Sequence, residues 1–181
     1  AVRRPVAVAS LTMILSLSGK LIIKDNLVRE GRWNERTNHM GVGLINKTLG
    51  IVGFGGIGRE FVKISKGLFK DIICYDPFVG KEEMKNLQVK KVDFDEIANS
   101  SDFLVILCDL NEKTKGMIDS AFLNKMKSSS YLINLSRGPV VNENDLITSL
   151  RQNKIAGVGL DVMTNEPIEE NNELLNLKNT I

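Results

Sequence analysis

The sequence predicts a doubly wound α/β domain built around a mostly parallel sheet. From Thr48 onward, short apolar runs alternate with helical patterns. The runs are continuously apolar, which is typical of parallel strands that are covered by helices on both faces. One run also leads through a glycine-rich turn directly into a helical pattern, as the first strand of a doubly wound sheet commonly does.

The chain before Thr48 predicts a long helix followed by a loop. Pro5 suits a first helical turn, and apolar residues dominate until Ile23, after which polar residues bring the helix to an end near Gly31. The stretch from Val6 to Leu17 also resembles the core of a secretory signal, but hydroxyl side chains interrupt it and no cleavage site follows. We therefore expect a helix that is packed on most sides, and then a loop over residues 31–46.

The later part of the chain contains a series of strand candidates, separated by helices. The candidates are Leu49 to Phe54, Ile72 to Tyr75, a weak run from Val89 to Val92, Phe103 to Cys108, Tyr131 to Leu135, Ile155 to Val162, and a strand that begins at Thr180. The helix that follows the first strand spans Arg59 to Leu68. Asp93 and Asn142 are predicted N-caps, because each precedes an apolar helical pattern with acidic residues in its first turn.

Composition excludes several kinds of partner and site. The chain of 181 residues has 24 Lys and Arg against 22 Asp and Glu, a balance that does not suit a nucleic-acid-binding surface or a polybasic membrane anchor. Cys74 and Cys108 are far apart and the chain has 1 His, so the usual zinc spacings and a disulfide framework are excluded. We expect a domain without a metal site, without nucleic-acid or membrane partners, in a reducing compartment such as the cytoplasm.

The glycine-rich turn Gly53-Phe-Gly55-Gly-Ile-Gly58 has the pattern of a dinucleotide-binding loop. In such a loop Gly53 permits the tight turn, Gly55 lets the backbone approach a pyrophosphate, and Gly58 lets helix and strand pack closely. Gly56 and Ile57 would supply N–H groups at the helix N-terminus, which faces the anion. The alternative is a tight strand-to-helix turn that binds no ligand.

Asp76 ends the next strand, in Cys74-Tyr75-Asp76-Pro77. A carboxylate at this position accepts hydrogen bonds from an adenosine ribose and repels a 2′-phosphate. No Arg lies between Arg59 and Arg137 to compensate that repulsion, so we expect NAD rather than NADP as the cofactor. The alternative is an Asp that only forms a turn before a proline.

A second group of charged residues follows the last two complete strands. Arg137 comes directly after the buried run that starts at Tyr131, and a guanidinium at that edge can hold a carboxylate and polarise a neighbouring carbonyl. Asp161 and Glu166 follow the next strand and bring two carboxylates to the same edge. Alone, Arg137 would more simply be a helix-capping or surface arginine, and Asp161 and Glu166 would be solvated loop side chains.

Together these segments resemble the D-isomer-specific 2-hydroxyacid dehydrogenases over essentially the whole chain. The resemblance rests on the segments Val28 to Trp33, Lys47 to Gly58, Leu110 to Gly116, Asn134 to Asn142 and Lys154 to Pro167, which occur in the family's order and spacing. It implies a Rossmann-type fold and hydride transfer between NAD and a small D-2-hydroxy or 2-oxo acid. The sequence after Cys74 favours the phosphoglycerate and hydroxypyruvate enzymes, although those residues would bind adenosine rather than substrate.

The resemblance also implies roles for individual residues. Gly56 and Ile57 would contact the pyrophosphate and Asp76 the ribose, while Cys108, Asp109 and Thr114 would line the adenosine side. Leu135, Ser136 and Asp161 would flank the nicotinamide. Arg137 would bind the substrate carboxylate beside the cofactor, and Glu166 would partner the catalytic histidine.

Two departures from the family pattern are visible. Asp109 stands where the family usually has proline, and the catalytic histidine would lie beyond Ile181. His39 precedes the first strand and so belongs near the opposite edge of the sheet. By resemblance, residues 1–31 form a helix that links two domains and contributes to a homodimer, and residues 32–181 form the NAD-binding domain, with the substrate domain outside this sequence.

Two other functions use similar features. A corepressor-like scaffold would bind the dinucleotide to control assembly without turnover, and assays with 2-oxo acids would distinguish it. A methyltransferase that uses S-adenosylmethionine also has a glycine loop and an acid after the second strand, but it does not need Arg137 and Glu166. A comparison of thermal stabilisation by NAD and by S-adenosylmethionine would separate the two.

Overall fold

The computed structural model describes residues 2–181 and has a sheet of six strands, all parallel, in the order β3-β2-β1-β4-β5-β6. The strands are β1 (Thr48–Val52), β2 (Asp71–Tyr75), β3 (Lys90–Lys91), β4 (Phe103–Ile106), β5 (Tyr131–Asn134) and β6 (Gly157–Leu160). This is the doubly wound order, with the reversal between β1 and β4. The predicted fold class is confirmed. Several strands end earlier than predicted, because Gly53, Phe54, Leu107 and Cys108 belong to loops at the carboxyl edge.

The helices are α1 (Arg3–Gly19), α2 (Leu21–Arg29), α3 (Gly56–Ser65), α4 (Lys81–Lys85), α5 (Phe94–Ser100), α6 (Ser120–Leu123) and α7 (Glu143–Arg151). Short 3₁₀ helices cover Trp33–His39, Gly138–Val140 and Glu173–Asn176. The first of them lies inside the predicted loop. Both predicted caps are confirmed: Asp93 accepts the N–H of Glu96 at 2.7 Å, and Asn142 accepts that of Asp145 at 3.2 Å.

The prediction of one helix from Pro5 to Gly31 is wrong. The chain bends by 59° between α1 and α2, and Lys20 at the bend has a φ of 55°. Gly19 ends α1, and Lys20 then turns its side chain onto the sheet, where its Nζ donates to the Tyr131 hydroxyl at 2.8 Å. A contact with a strand that is distant in sequence therefore fixes the bend.

Between residues 2 and 181, no single helix is both long and apolar enough to span a membrane. The bent pair α1 and α2 reaches that length and composition only when both helices are counted together. In this fold α1 packs against α3, β5 and β6, and it buries Ala7, Ile14 and Leu17.

Two hydrophobic cores cover the two faces of the sheet. Within β4, Leu104 and Ile106 belong to the core that includes Ile97 of α5, while Phe103 and Val105 belong to the core that includes Phe61 of α3. Successive residues of one strand thus enter opposite cores, as expected for a strand buried on both sides. Burial of both faces explains why the strands are continuously apolar.

A seventh strand position begins beside β6, as predicted from Thr180. The Ile181 N–H donates to the Val158 carbonyl at 3.0 Å, and the Leu160 N–H donates to the Ile181 carbonyl at 2.9 Å. The bridge between Val158 and Thr180 is parallel. Residues 179–181 therefore run in the direction of the other strands, toward their carboxyl ends.

Candidate functional site

A cleft of about 470 Å³ lies at the carboxyl ends of β1, β2 and β4. The structure brings together many of the predicted site residues in its wall: Gly53, Gly55, Gly56, Ile57, Asp76, Cys108, Asp109 and Thr114. Sequence reasoning missed other residues of the wall, including Phe78, Asn111, Lys113 and Met117. Phe78 could have been found from its position two residues after Asp76. Asn111 and Lys113 lie in the segment Leu110 to Gly116, whose resemblance to the family was the available signal for them.

The glycines of the loop after β1 have different structural tasks. Gly53 has a φ of +100°, and a Cβ there would lie 2.6 Å from the Cys108 nitrogen. A Cβ on Gly58 would overlap the Gly53 carbonyl oxygen, whereas a Cβ on Gly55 would meet nothing within 4 Å. Gly53 and Gly58 therefore allow close backbone packing, and Gly55 borders open space in the cleft.

The start of α3 offers unpaired N–H groups to this open space. The N–H groups of Gly56 and Ile57 donate to no backbone acceptor within residues 2–181, as is usual in a first helical turn. Unpaired N–H groups and the positive end of the helix dipole favour an anion at this position. Open space beside Gly55 and a helix N-terminus aimed at it fit the pyrophosphate of a dinucleotide.

Asp76 connects this loop to the end of β2. One carboxylate oxygen accepts the Phe54 N–H at 2.7 Å, and the other accepts the Phe78 N–H at 2.8 Å. The Gly53 N–H donates to the Tyr75 carbonyl at 2.9 Å and adds to the same connection. Each carboxylate oxygen can accept a further hydrogen bond, so Asp76 can hold the loop and still accept a ribose hydroxyl. The turn-forming interpretation and the ligand-binding one are compatible.

The loop after β4 closes the other side of the cleft. The Thr114 hydroxyl donates to the Asp109 carbonyl at 2.7 Å and accepts the Asn111 N–H at 2.8 Å. The Asn111 side chain accepts the Lys113 N–H at 2.9 Å. These local bonds hold the backbone of Asp109 in place, where the family usually has a proline. The Thr114 hydroxyl is engaged within the loop, so its contribution to the cleft is to shape it.

The two cysteines are both free. Partial burial raises the pKa of the Cys108 thiol to about 11, and deeper burial raises the pKa of Cys74 still further. Burial acts in this direction because it disfavours the charged thiolate. At neutral pH Cys108 therefore presents a neutral, weakly polar surface to the cleft.

The loop after β5 is held by Asn134, which sequence reasoning did not single out. The Asn134 side chain is 1% exposed; its amide donates to the Arg137 carbonyl at 3.0 Å and its oxygen accepts the Ser136 N–H at 3.0 Å. The Ser136 hydroxyl donates to the Cys108 carbonyl, which joins this loop to the wall of the cleft. Leu135 and Ser136 are both buried. A polar residue at the end of an apolar strand was the available signal for Asn134.

Arg137, Asp161 and Glu166 are exposed and follow the ends of β5 and β6. Arg137 Nη1 donates to the Ser136 carbonyl at 2.7 Å, and a Glu166 oxygen accepts the Met163 N–H at 2.9 Å. A Cβ on Gly138 would overlap the Met163 carbonyl group, so the loops that carry Arg137 and Glu166 are in contact. They are not part of the wall of the cleft, but the Ser136 bond to Cys108 places them beside it.

His39 lies away from this edge. It lines a different cavity together with Tyr131 and Ala156, which lie at the amino ends of β5 and β6. Among residues 2–181, no group of three or more His, Cys, Asp or Glu side chains is arranged to hold a metal ion.

The sequence matches a known protein family over most of its length. The sequence model of "D-isomer specific 2-hydroxyacid dehydrogenase, NAD binding domain" matches residues 11–181. The chain belongs to this family. Its cofactor is therefore NAD, and the cleft between the glycine loop and Asp76 fits that cofactor.

Curated relatives are enzymes of this family. A D-3-phosphoglycerate dehydrogenase of Archaeoglobus fulgidus is 36% identical over 172 residues, which are 95% of this chain and 32% of the relative. A glyoxylate reductase of Thermococcus litoralis is 38% identical over 175 residues, which are 93% of this chain and 53% of the relative. The named relatives give no support to a corepressor. Because the chain spans about a third to a half of these two relatives, it corresponds to one part of them.

Solved structures agree with the fold. The NAD-dependent formate dehydrogenase of Staphylococcus aureus in complex with NAD has a TM-score of 0.92 and 28% identity, over 99% of this chain and 54% of that one. A glyoxylate reductase from Paecilomyes thermophila has a TM-score of 0.90 and 32% identity, over 99% of this chain and 54% of that one. The similarity thus extends over nearly the whole domain.

The glycine loop gives a test that separates packing from ligand binding. Gly58→Ala should lower the free energy of unfolding by about 1–3 kcal/mol, because the new Cβ overlaps the Gly53 carbonyl. Gly55→Ala should change it by less than about 0.5 kcal/mol, because the new Cβ meets open space, but should weaken NAD binding by narrowing the approach to the loop. Urea unfolding and calorimetry with NAD measure the two effects. Equal stability losses in the two variants would contradict this division of tasks.

The raised pKa of Cys108 predicts slow alkylation. With a pKa of about 11 instead of 9.0, its thiolate fraction at pH 8 is about a hundredfold below that of an ordinary thiol. In a Cys74→Ser background, the rate of reaction with iodoacetamide should rise about tenfold per pH unit from pH 7 to 9.5 without a plateau, and saturating NAD should slow it. Peptide mass spectrometry gives the rate. A plateau below pH 9 would show that the thiol is not shielded.

Proposed function

We propose that the chain is the cofactor-binding part of an NAD-dependent oxidoreductase that acts on the C2 hydroxyl of a small D-2-hydroxy acid. The observation that supports this most directly is the connection of the Arg137 loop to the cleft through Ser136 and Cys108. This connection supports the proposal that the Arg137 guanidinium binds the substrate carboxylate beside the cofactor. The relatives' names suggest phosphoglycerate, hydroxypyruvate and glyoxylate as the substrate class. Glycerate belongs to the same class as the hydroxy acid that forms when hydroxypyruvate is reduced.

The surroundings of Arg137 support its proposed role in substrate binding. The Asn134 side chain fixes the backbone of Arg137 by donating to its carbonyl. The Arg137 side chain is exposed and makes one hydrogen bond, through Nη1. The remaining guanidinium donors are free to hold a carboxylate in bidentate fashion and to polarise the adjacent carbonyl. Bound NAD supplies the hydride chemistry, and the chain's residues supply orientation and charge. Leu135, Ser136 and Asp161 are proposed to flank the nicotinamide.

The reduction of a 2-oxo acid also needs a proton donor. We propose a histidine in the segment after Ile181, because residues 179–181 run beside β6 toward the carboxyl edge. Glu166 would stabilise the protonated form of that histidine by its opposite charge. One Glu166 oxygen accepts the Met163 N–H, which would orient the carboxylate and leave the other oxygen for the imidazole.

The assembly and location of the whole protein are part of the proposal. Residues 1–31 would link the NAD-binding domain, residues 32–181, to a substrate domain and contribute to a homodimer. Exposed apolar side chains along α1 and α2 support this, at Val8, Leu15, Leu21 and Ile22. Two free cysteines suit a reducing, cytoplasmic location, with a small 2-hydroxy or 2-oxo acid as the partner and neither nucleic acid nor membrane.

The test of this function is the substitution Arg137→Lys in the full-length protein, assayed by NADH-dependent reduction of hydroxypyruvate and glyoxylate. An ammonium keeps the charge but loses the planar fork, so KM should rise, kcat should fall, and kcat/KM should drop by about tenfold or more. The dissociation constant of NADH should stay within twofold. Arg151→Lys, on the surface of α7, is the matched control and should behave like the wild type. An unchanged kcat/KM in Arg137→Lys, or no turnover of any 2-oxo acid by the wild type, would contradict the proposal.

A further inference from the structure

Arg3, in the first turn of α1, lies against the glycine loop. A Cβ on Gly56 would overlap the Arg3 guanidinium, with the Arg3 Cζ 2.8 Å and the Cδ 2.9 Å from it. Gly56 is the first residue of α3 and part of the wall of the cleft. The arginine of one helix thus occupies the space that a side chain of the loop would otherwise take. A side chain at position 56 would displace the guanidinium from this position.

The Arg3 guanidinium has no partner carboxylate in the described part of the chain. Its neighbour Arg4 pairs with Glu60 at 2.7 Å, whereas Arg3 has no carboxylate within 4 Å among residues 2–181. The guanidinium instead lies at the N-terminus of α3, next to the unpaired N–H groups of Gly56 and Ile57. A cation at this end of a helix is unfavourable, because the helix dipole is positive there. An anion bound between them would turn that repulsion into attraction.

We propose that Arg3 is a pyrophosphate-binding residue of the NAD site, supplied by α1 rather than by the glycine loop. The inference rests on the proposed position of the pyrophosphate at the glycine loop. A guanidinium can form two parallel hydrogen bonds with a phosphate group, and the pyrophosphate carries two negative charges. Contact with Gly56 favours the pyrophosphate over the substrate carboxylate, which is assigned to Arg137.

This role also connects cofactor binding with the helix that precedes the domain. Because α1 packs along α3, the position of Arg3 depends on that packing. Arg4, by contrast, points away from the loop and pairs with Glu60 on α3 at the surface, where it lowers the pKa of the Glu60 carboxyl. Only Arg3 of these two adjacent arginines therefore lies against the glycine loop, and Arg4 can serve as its control.

The test compares Arg3→Gln with the matched control Arg4→Gln in the full-length protein. Calorimetry with NAD, ADP-ribose and adenosine separates the pyrophosphate from the rest of the ligand, because adenosine lacks phosphate. Arg3→Gln should raise the dissociation constants of NAD and ADP-ribose by about tenfold and leave that of adenosine within twofold of the wild type. Arg4→Gln should leave all three ligands within twofold. Arg3→Lys, which keeps the charge without the fork, should fall between wild type and Arg3→Gln.

Each contrary result has a distinct meaning. Unchanged NAD affinity in Arg3→Gln would overturn the inference. Equal losses of affinity for adenosine and for ADP-ribose would overturn it too, because they would show that Arg3 has only a structural role. A rise in the KM of the 2-oxo acid at unchanged NAD affinity would overturn it in favour of a substrate-binding role. Gly55→Glu tests the underlying proposal: if this variant also bound NAD normally, the pyrophosphate would not lie at the glycine loop. If Gly55→Glu lost most of its NAD affinity and Arg3→Gln lost none, the role of Arg3 would be rejected and the position of the pyrophosphate at the glycine loop would stand.

Discussion

The cleft depends on the hydrogen bonds that the Asp76 carboxylate accepts from two loops. The carboxylate accepts the Phe54 N–H and the Phe78 N–H at once, so it holds the glycine loop after β1 against the end of β2. This fixes the direction in which α3 leaves the loop, and with it the unpaired N–H groups at the start of that helix. A charged acceptor for backbone N–H groups is stronger than a neutral one, and Asp76 is only partly buried, so it remains accessible to a ligand. The same side chain therefore organises the loop and borders the cofactor.

From this point a series of contacts continues across the carboxyl edge of the sheet. Gly53 approaches Cys108 closely, the Cys108 carbonyl accepts the Ser136 hydroxyl, and Gly138 touches the loop at Met163. Each contact joins the loop of one strand to that of the next, from β1 through β4 and β5 to β6. The proposed cofactor and substrate groups are thus held by one continuous set of contacts. Glycine at positions 53 and 138 makes these approaches possible, because a side chain at either position would separate two loops.

The sequence was sufficient for features that local patterns determine. Continuous apolar runs predicted the parallel sheet, the glycine pattern predicted the loop, and Asp93 and Asn142 were recognised as caps from their own neighbourhoods. Contacts between distant residues were not predictable in this way. The bend at Lys20 depends on Tyr131, and Arg3 faces Gly56 only because α1 packs along α3. Asn134 was missed for a related reason, since its two hydrogen bonds depend on the fold of the loop that follows it.

The most direct test of the account is the ratio of the dissociation constants for NADP and NAD, measured by calorimetry on the folded protein. If the Asp76 carboxylate borders the adenosine ribose, it must repel a 2′-phosphate, and NAD should bind at least about tenfold more tightly, or ~1.4 kcal/mol. Asp76→Ser should reduce this preference, while Asp109→Ser, a carboxylate in the same cleft, should leave it within about twofold. Equal affinity of the wild type for NAD and NADP would contradict the position assigned to Asp76.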